Sequence, residues 1–248
     1  MTKEWVKMAS SEKRLSKSER KRRNQKRLIL QAARRLFESS SYDDVSMEEI
    51  ADEAAVSKQT LYNYFSSKDS IYFGIGSEGF RDAIELTTEM ELSSLPGKQM
   101  VLKLVEIFFD TAIEFPLGID ISRRFSIVNS EMEGIAEKTL ERRKKENQKV
   151  SQKKSIEDDM ADYLELASKY EEYWKTAMEK GKKDGSITSD LNERQLMYYT
   201  YLFINGIANQ MHLVNRPVMS SLRNADLDHE KVKEISLQIM ANLLEHGE

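Results

Sequence analysis

At 248 residues, 40% of them apolar, the chain is long enough for a small domain plus a larger one with its own core. It contains no cysteine, which excludes disulfides, thiolate-held zinc and thiol redox sensing, and its three histidines (His212, His229 and His246) have no partner at i+3 or i+4, so no histidine metal site is expected. The net charge of −4 hides a segregation: Lys13 to Arg35 holds eleven basic residues and one acid, Glu19, so a +10 head precedes a −14 body, and only the head is steered toward a polyanion.

No N-terminal apolar leader and no run of about 18 apolar residues occurs, so neither secretion nor membrane spanning is indicated, and a cytoplasmic protein is expected. Residues 1–18 are polar, basic and weakly patterned, which suggests a disordered arm. From Glu19 to Ser39, Ile29, Ala32, Ala33, Leu36 and Phe37 recur at helical spacing. The first turns of that helix, Arg20 to Arg27 with Arg22, Arg23 and Lys26 among them, are free to lie along a phosphate backbone.

After a short S-S-S-Y-D-D link, Ser46 and Glu49 have the spacing of a capping box, so a helix begins at Met47 with Met47, Ile50, Ala51 and Ala54 on one apolar stripe. Ser57 is a second cap. Behind it Leu61 and Phe65 lie four apart and can be buried together, which leaves Lys58, Gln59, Thr60, Tyr62 and Asn63 facing outward. A short exposed helix with a cation, amides and hydroxyls but no acid carries the donors and acceptors that base edges and phosphates need; this is the recognition helix of a helix-turn-helix. Ser66 and Asp69 suggest another box, with a third helix starting at about Lys68.

The stretch Ser46, Ile50-Ala51, Ala54, Val56-Ser57, Thr60-Leu61-Tyr62, Tyr64-Phe65, Ser67-Lys68-Asp69 and Ile71 resembles the DNA-binding motif of the TetR family of one-component transcriptional regulators, specifically over about residues 24 to 72. Two departures stand out. Ala55 replaces the usual turn glycine, so the turn either tolerates a Cβ or is less left-handed, and Gln59 replaces an early glycine with an amide able to read adenine. The resemblance implies DNA contacts at Ser46, Ser57, Lys58, Gln59, Thr60, Tyr62, Asn63, Tyr64 and Lys68. Of these, Lys58, Gln59, Thr60 and Asn63 are better placed for bases, and Tyr62, Tyr64 and Lys68 for backbone oxygens. It also implies a homodimer on a partly palindromic duplex operator and a small-molecule effector in the body, with most relatives acting as repressors.

The expected fold is therefore all-α: a helix-turn-helix domain over 19–67, then a helical effector-binding and dimerisation domain over 68–248. Its first helix runs from Lys68 to about Met90, ahead of a Leu95-Pro96-Gly97 break, and a second covers 98–114 with Val101, Leu104, Val105, Phe108 and Ala112 on one stripe. A less distinct helical stretch spans 119–138. Residues 137–162 are dense in mixed charge and read as an insertion: a solvated helix or helix pair, or a segment disordered at its centre. Tyr163 to Met178 restores a helical stripe, which Gly181, Gly185 and Ser186 are expected to end. Helices at 192–214 and 228–245 complete the chain.

Phe203, Ile207 and Met211 on the first of these and Ile235, Ile239 and Leu243 on the second are the candidate dimer face. Phe108, Phe109, Phe125, Tyr170 and Trp174, with Tyr201 and Phe203, are the candidate lining of a pocket for an apolar or aromatic effector, although such stripes also build plain core. No cofactor or metal is implied. An enzyme would need a convergent nucleophile, base or phosphate-cradling loop that the chain does not display. A constitutive dimeric DNA-binding or architectural protein without an effector stays open.

Overall fold

The structure, a computed structural model, describes residues 16–90, 92–114, 117–118, 120–121, 134, 138–141, 155–213 and 229–246. Among them every regular element is helical and no strand occurs, so the fold is all-α. In chain order the helices are α1 (Lys17–Ser39), α2 (Met47–Glu53), α3 (Lys58–Tyr64), α4 (Lys68–Glu89), a 3-10 turn (Leu92–Ser94), α5 (Gly97–Glu114), α6 (Ile156–Asp184), α7 (Glu193–Leu213) and α8 (His229–His246). The chain forms two compact units, Met1–Ile71 and Tyr72–Glu248.

In the first unit α1 begins two residues before the expected start. The Ser16 hydroxyl accepts from the Glu19 amide at 3.2 Å while the Glu19 carboxylate accepts from the Ser16 amide at 2.7 Å, a reciprocal box that satisfies two orphan donors. Residues 16–18, read from sequence as part of the arm, are therefore a cap and a first turn; residues 1–15 lie outside the described residues. Ile29 and Ala33 of α1, Ile50 of α2, and Leu61 and Phe65 around α3 are fully buried and form the core that two short helices need to persist.

The α2–α3 turn is left-handed. Ala55 has φ 51°, the Val56 amide donates to the Ala51 carbonyl at 2.9 Å and the Ala55 amide to Asp52 at 3.0 Å, a Schellman closure with alanine where glycine is preferred. Helix α4 starts at Lys68 as expected, but its cap lies one residue later than the expected Ser66. Ser67, not Ser66, accepts from the Ser70 amide at 3.1 Å, while Asp69 is turned away to accept from the Tyr42 hydroxyl.

The second unit is a helical bundle. Leu104, Val105 and Phe109 of α5, Met178 of α6, Leu196 of α7, and Met240 and Leu244 of α8 are fully buried in one core. Gly181 is not the end of a helix, because α6 runs on to Asp184 and closes at Gly185 with φ 73°. Its role is close approach: a Cβ added at Gly97 would sit 2.0 Å from the Gly181 nitrogen and 2.2 Å from its Cα. At that crossing Asp184 accepts from the Gly97 amide and the Ser186 hydroxyl from the Lys98 amide, both at 2.9 Å, so the end of α6 caps the start of α5.

Helix α6 opens at Ser155 in a capping box with Asp158. Asp159, Met160 and Ala161 are buried, so the end of the charged 137–162 segment enters the core rather than lying in solvent. Residues 138–141 are helical, and 142–154 lie outside the described residues. On α7, Leu196, Thr200 and Ile204 face the bundle's own core, and Phe203 and Ile207 of the expected dimer stripe are partly buried against it. Its outward apolar residues are Tyr198, Tyr199, Tyr201 and Leu202. Helix α8 is two-faced: Met240 and Leu244 point inward, while Ile235 and Ile239 are 46% and 45% exposed. Leu243 is half-buried against the core, and the Met211 side chain lies outside the description.

Candidate functional site

The site is assembled from caps. At α2 the Ser46 hydroxyl accepts from the Glu49 amide (3.2 Å) and donates to its carboxylate (2.7 Å), which pulls the Glu49 carboxyl below its usual range. At α3 the Ser57 hydroxyl accepts from the Thr60 amide at 3.1 Å and lies 2.9 Å from the Thr60 hydroxyl. These caps set two short helices across the Ala55 turn. Leu61 anchors α3 inward, and Lys58, Gln59, Tyr62 and Asn63 are exposed on its other side. Gln59 and Asn63 form a pair along that face, the Gln59 amide donating to Asn63 at 3.4 Å, which pre-orients two groups able to bond an adenine edge.

Lys58 is paired with Glu48 of α2 at 2.5 Å, both largely exposed, and its hydrogen bond is the main reason that the Glu48 carboxyl sits low. An exposed pair of this kind exchanges readily for another anion. The basic start of α1 lies against the end of α3: the Arg22 guanidinium is 5.4 Å from the Tyr64 ring centroid and the Lys26 ammonium 4.9 Å from that of Phe65, while Arg23 is exposed. Cations of α1 and donors of α3 thus belong to one small unit.

Lys68 is engaged elsewhere than expected. Its ammonium donates to the carbonyls of Tyr42 (2.6 Å) and Val45 (2.8 Å) and stands over the Tyr42 ring. Sequence reading missed Tyr42 and the Glu48 counter-ion; an aromatic set in an otherwise small and acidic link was the one available sign of the former.

The second unit holds an apolar pocket that is partly open to solvent. Gly76, Gly79, Phe80 and Ala83 of α4 form one wall, Phe108, Thr111 and Ala112 of α5 another, and Tyr163 and Tyr170 of α6 a third, with Gly118 and Asn205 completing it. No charged residue lines it among the described residues. Of the sequence candidates, Phe108 and Tyr170 line the cavity. Phe109 lies in the core, and Trp174 stands behind Tyr170 in an edge contact at 6.4 Å. Tyr201 faces outward, Phe203 packs on the core, and Phe125 lies outside the described residues. Burial pushes the Tyr170 phenol well above its ordinary range, only partly offset by a hydrogen bond with Trp174. The glycines were missed because in sequence they read only as weak helix formers.

Two capped short helices across a tight turn, with a polar outward face on the second, define a helix-turn-helix protein. Residues 29–75 match the family described as "Bacterial regulatory proteins, tetR family". It is 36% identical over 89 residues to the HTH-type transcriptional activator FasR of Mycolicibacterium smegmatis, and 28% identical over 92 residues to the HTH-type transcriptional regulator EthR of the same organism. Those stretches are 33% and 34% of this chain and 37% and 39% of the relatives, so the match spans little more than a third of their length.

The whole fold is similar to the fatty acid degradation regulator FadR from Bacillus halodurans (TM-score 0.59, 13% identity, 87% of this chain and 94% of that one). It is also similar to FadR from Bacillus subtilis, solved in complex with stearoyl-CoA (TM-score 0.59, 14% identity, 86% and 96%). Among the described residues no helix is long and apolar enough to cross a membrane.

Proposed function

We propose that the chain is a sequence-specific, double-stranded-DNA-binding transcriptional regulator, acting in the cytoplasm as a homodimer and released from its operator by a small, largely apolar effector. The observation that carries this reading is the outward face of α3: Lys58, Gln59, Tyr62 and Asn63 exposed, no acid in the helix, and Arg22 and Arg23 exposed on the helix beside it. Lys58, Gln59, Thr60 and Asn63 read base edges in the major groove. Tyr62, Tyr64, Arg22, Arg23, Lys26 and the amides capped at Ser46 and Ser57 position the backbone. The outward apolar residues Tyr198, Tyr201 and Leu202 of α7 and Ile235 and Ile239 of α8 supply the self-complementary face of an isologous dimer. Two recognition helices then meet half-sites about one helical turn apart in a partly palindromic operator.

The effector occupies the α4–α5–α6 cavity. Its uncharged lining suits an apolar or aromatic body, and the stearoyl-CoA bound by the Bacillus subtilis FadR supports a long-chain acyl compound as the first to test. Occupancy of promoter DNA makes repression the expected sign, and the activator FasR makes a reporter assay of both signs the way to check it. Helix α4 has its first turn in one unit and its remainder in the other, so it is the covalent route by which the effector acts. Linkage then requires effector and operator to weaken each other equally, by about 5- to 150-fold for a coupling of about 1–3 kcal/mol.

The test is selection of duplexes from a randomised pool, footprinting on the DNA flanking the protein's own gene, and calorimetry of stearoyl-CoA and aromatic candidates with and without the recovered duplex. Reciprocal weakening supports the regulator; duplex binding with no responsive effector favours the constitutive architectural protein; and no recovered duplex contradicts DNA recognition altogether.

A further inference from the structure

We propose that Lys68 is a positioning residue for DNA reading rather than a phosphate contact: it clasps the 42–45 link to the first turn of α4 and thereby sets the N-terminus of α2. The proposal rests on the DNA-reading role assigned above to α2 and α3.

An ammonium has three donors and no acceptor. At Lys68 these face the carbonyls of Tyr42 (2.6 Å), Val45 (2.8 Å) and, at the long limit, Asp43 (3.5 Å), while the Tyr42 ring centroid lies 4.2 Å from the nitrogen. The charge is met by carbonyl dipoles and a ring face inside the unit, in a half-buried position. Holding it toward a phosphate instead would break the bonds to Tyr42 and Val45.

Tyr42 is itself fixed from two sides. Its ring stacks on Phe37 of α1, with centroids 5.7 Å apart and planes 17° from parallel, and its hydroxyl donates to Asp69 of α4. The clasp therefore joins α1, the link and α4 across sequence separations of 23 to 27 residues. Its last bond is to Val45, which is buried and immediately precedes Ser46, the cap of α2. Where the Val45 carbonyl is held, the Ser46 cap and the first amides of α2 are held with it. Those amides are the ones a phosphate meets at a helix start.

A clasping lysine and a phosphate-binding lysine differ in salt dependence, because only the second displaces counterions from DNA. The probe is the tightest duplex that the wild-type protein recovers from a randomised pool; failure to recover any would sink the DNA-binding reading and this proposal together, an outcome distinct from failure of the clasp alone. Lys68→Met is expected to weaken that duplex about tenfold, the size of losing a cap-like ordering contact, with an unchanged slope of log affinity against log salt. In the DNA-free variant, amide exchange at Met47, Glu48 and Glu49 should quicken. Arg23→Gln, by contrast, should lower the slope by about 0.9. A slope lowered by about 0.9 in Lys68→Met, or unchanged exchange at α2, would overturn the proposal.

A spectroscopic reading on the wild-type protein needs no folded Lys68 variant. The ε-methylene protons of Lys68 should be shifted upfield by the Tyr42 ring and return to ordinary values in Tyr42→Leu. Ordinary values in the wild type itself would show that the clasp does not exist in solution.

Discussion

The two units are held together over different ranges. In the first, the caps of the candidate DNA-reading pair are local: Ser46 with Glu49 and Ser57 with Thr60 span three residues each, while the Lys58–Glu48 and Arg35–Glu53 pairs, the Tyr42–Asp69 bond and the Lys68–Tyr42 clasp reach further. In the second, the bonds that place α5 against its neighbours are remote: Gly97 to Asp184 spans 87 residues, Lys98 to Glu245 spans 147 and Lys233 to Asp110 spans 123. The Lys233 ammonium is held above its ordinary range chiefly by the Asp110 carboxylate. Local bonds set where a short element starts and stops, although the element still needs its core to persist, whereas remote ones specify a bundle only after the chain has closed large loops.

The largest expected effect lies where the units must cooperate. Ile239→Glu places a charge on the proposed dimer face and should lower operator affinity by about 100-fold or more, the multivalency lost when two linked half-site contacts become one. Sedimentation should show a folded monomer, and a wild-type-like dimer that still binds tightly would remove α8 from the interface. Next comes Gly97→Val, which forces a branched side chain into the backbone of Gly181. Overpacking of this kind costs about 1–3 kcal/mol or more and should appear as a lowered thermal transition of the second unit, with exchange protection of α2 and α3 retained. Equal loss of protection in both units would show that the contrast between local and remote support is false.

Ser57→Ala removes the α3 cap at a cost of about 1 kcal/mol and should unprotect the first turn of α3 without touching α6. The smallest effect has the opposite sign. Ala55→Gly relieves a left-handed alanine and should stabilise the first unit by up to about 1 kcal/mol in denaturant unfolding; a loss would mean that the turn is not left-handed in solution.

The same contrast of range explains what could be read from sequence. The boxes at Ser46 and Ser57, the buried pair Leu61 and Phe65, and the outward face of α3 all follow from spacings of three or four residues, and the all-α class from helical periodicity. The two inner and outer faces of α8 were legible for the same reason. Gly181 was misread as a stop because its partner, Gly97, is far away in sequence. What covers the α7 stripe was not legible because a stripe does not say which surface packs on it, and the motif position of Lys68 suggested DNA while its hydrogen-bond acceptors lie in a link 23 to 26 residues earlier. In the cavity, Phe108 and Tyr170 were visible as aromatics, but the glycine wall of α4 acquires meaning only from what packs across it. Gly76 shows this, since an added Cβ there would meet the Tyr163 ring at 2.7 Å.

Whether the outward face of α3 reads DNA sequence is decided by Gln59→Ala. Affinity should be measured by titration on the recovered duplex and on an unrelated duplex of equal length at the same salt concentration. A loss of about 1–3 kcal/mol is expected on the recovered duplex and almost none on the unrelated one. Equal losses on both would contradict base reading by α3 and leave only sequence-independent attraction to phosphate.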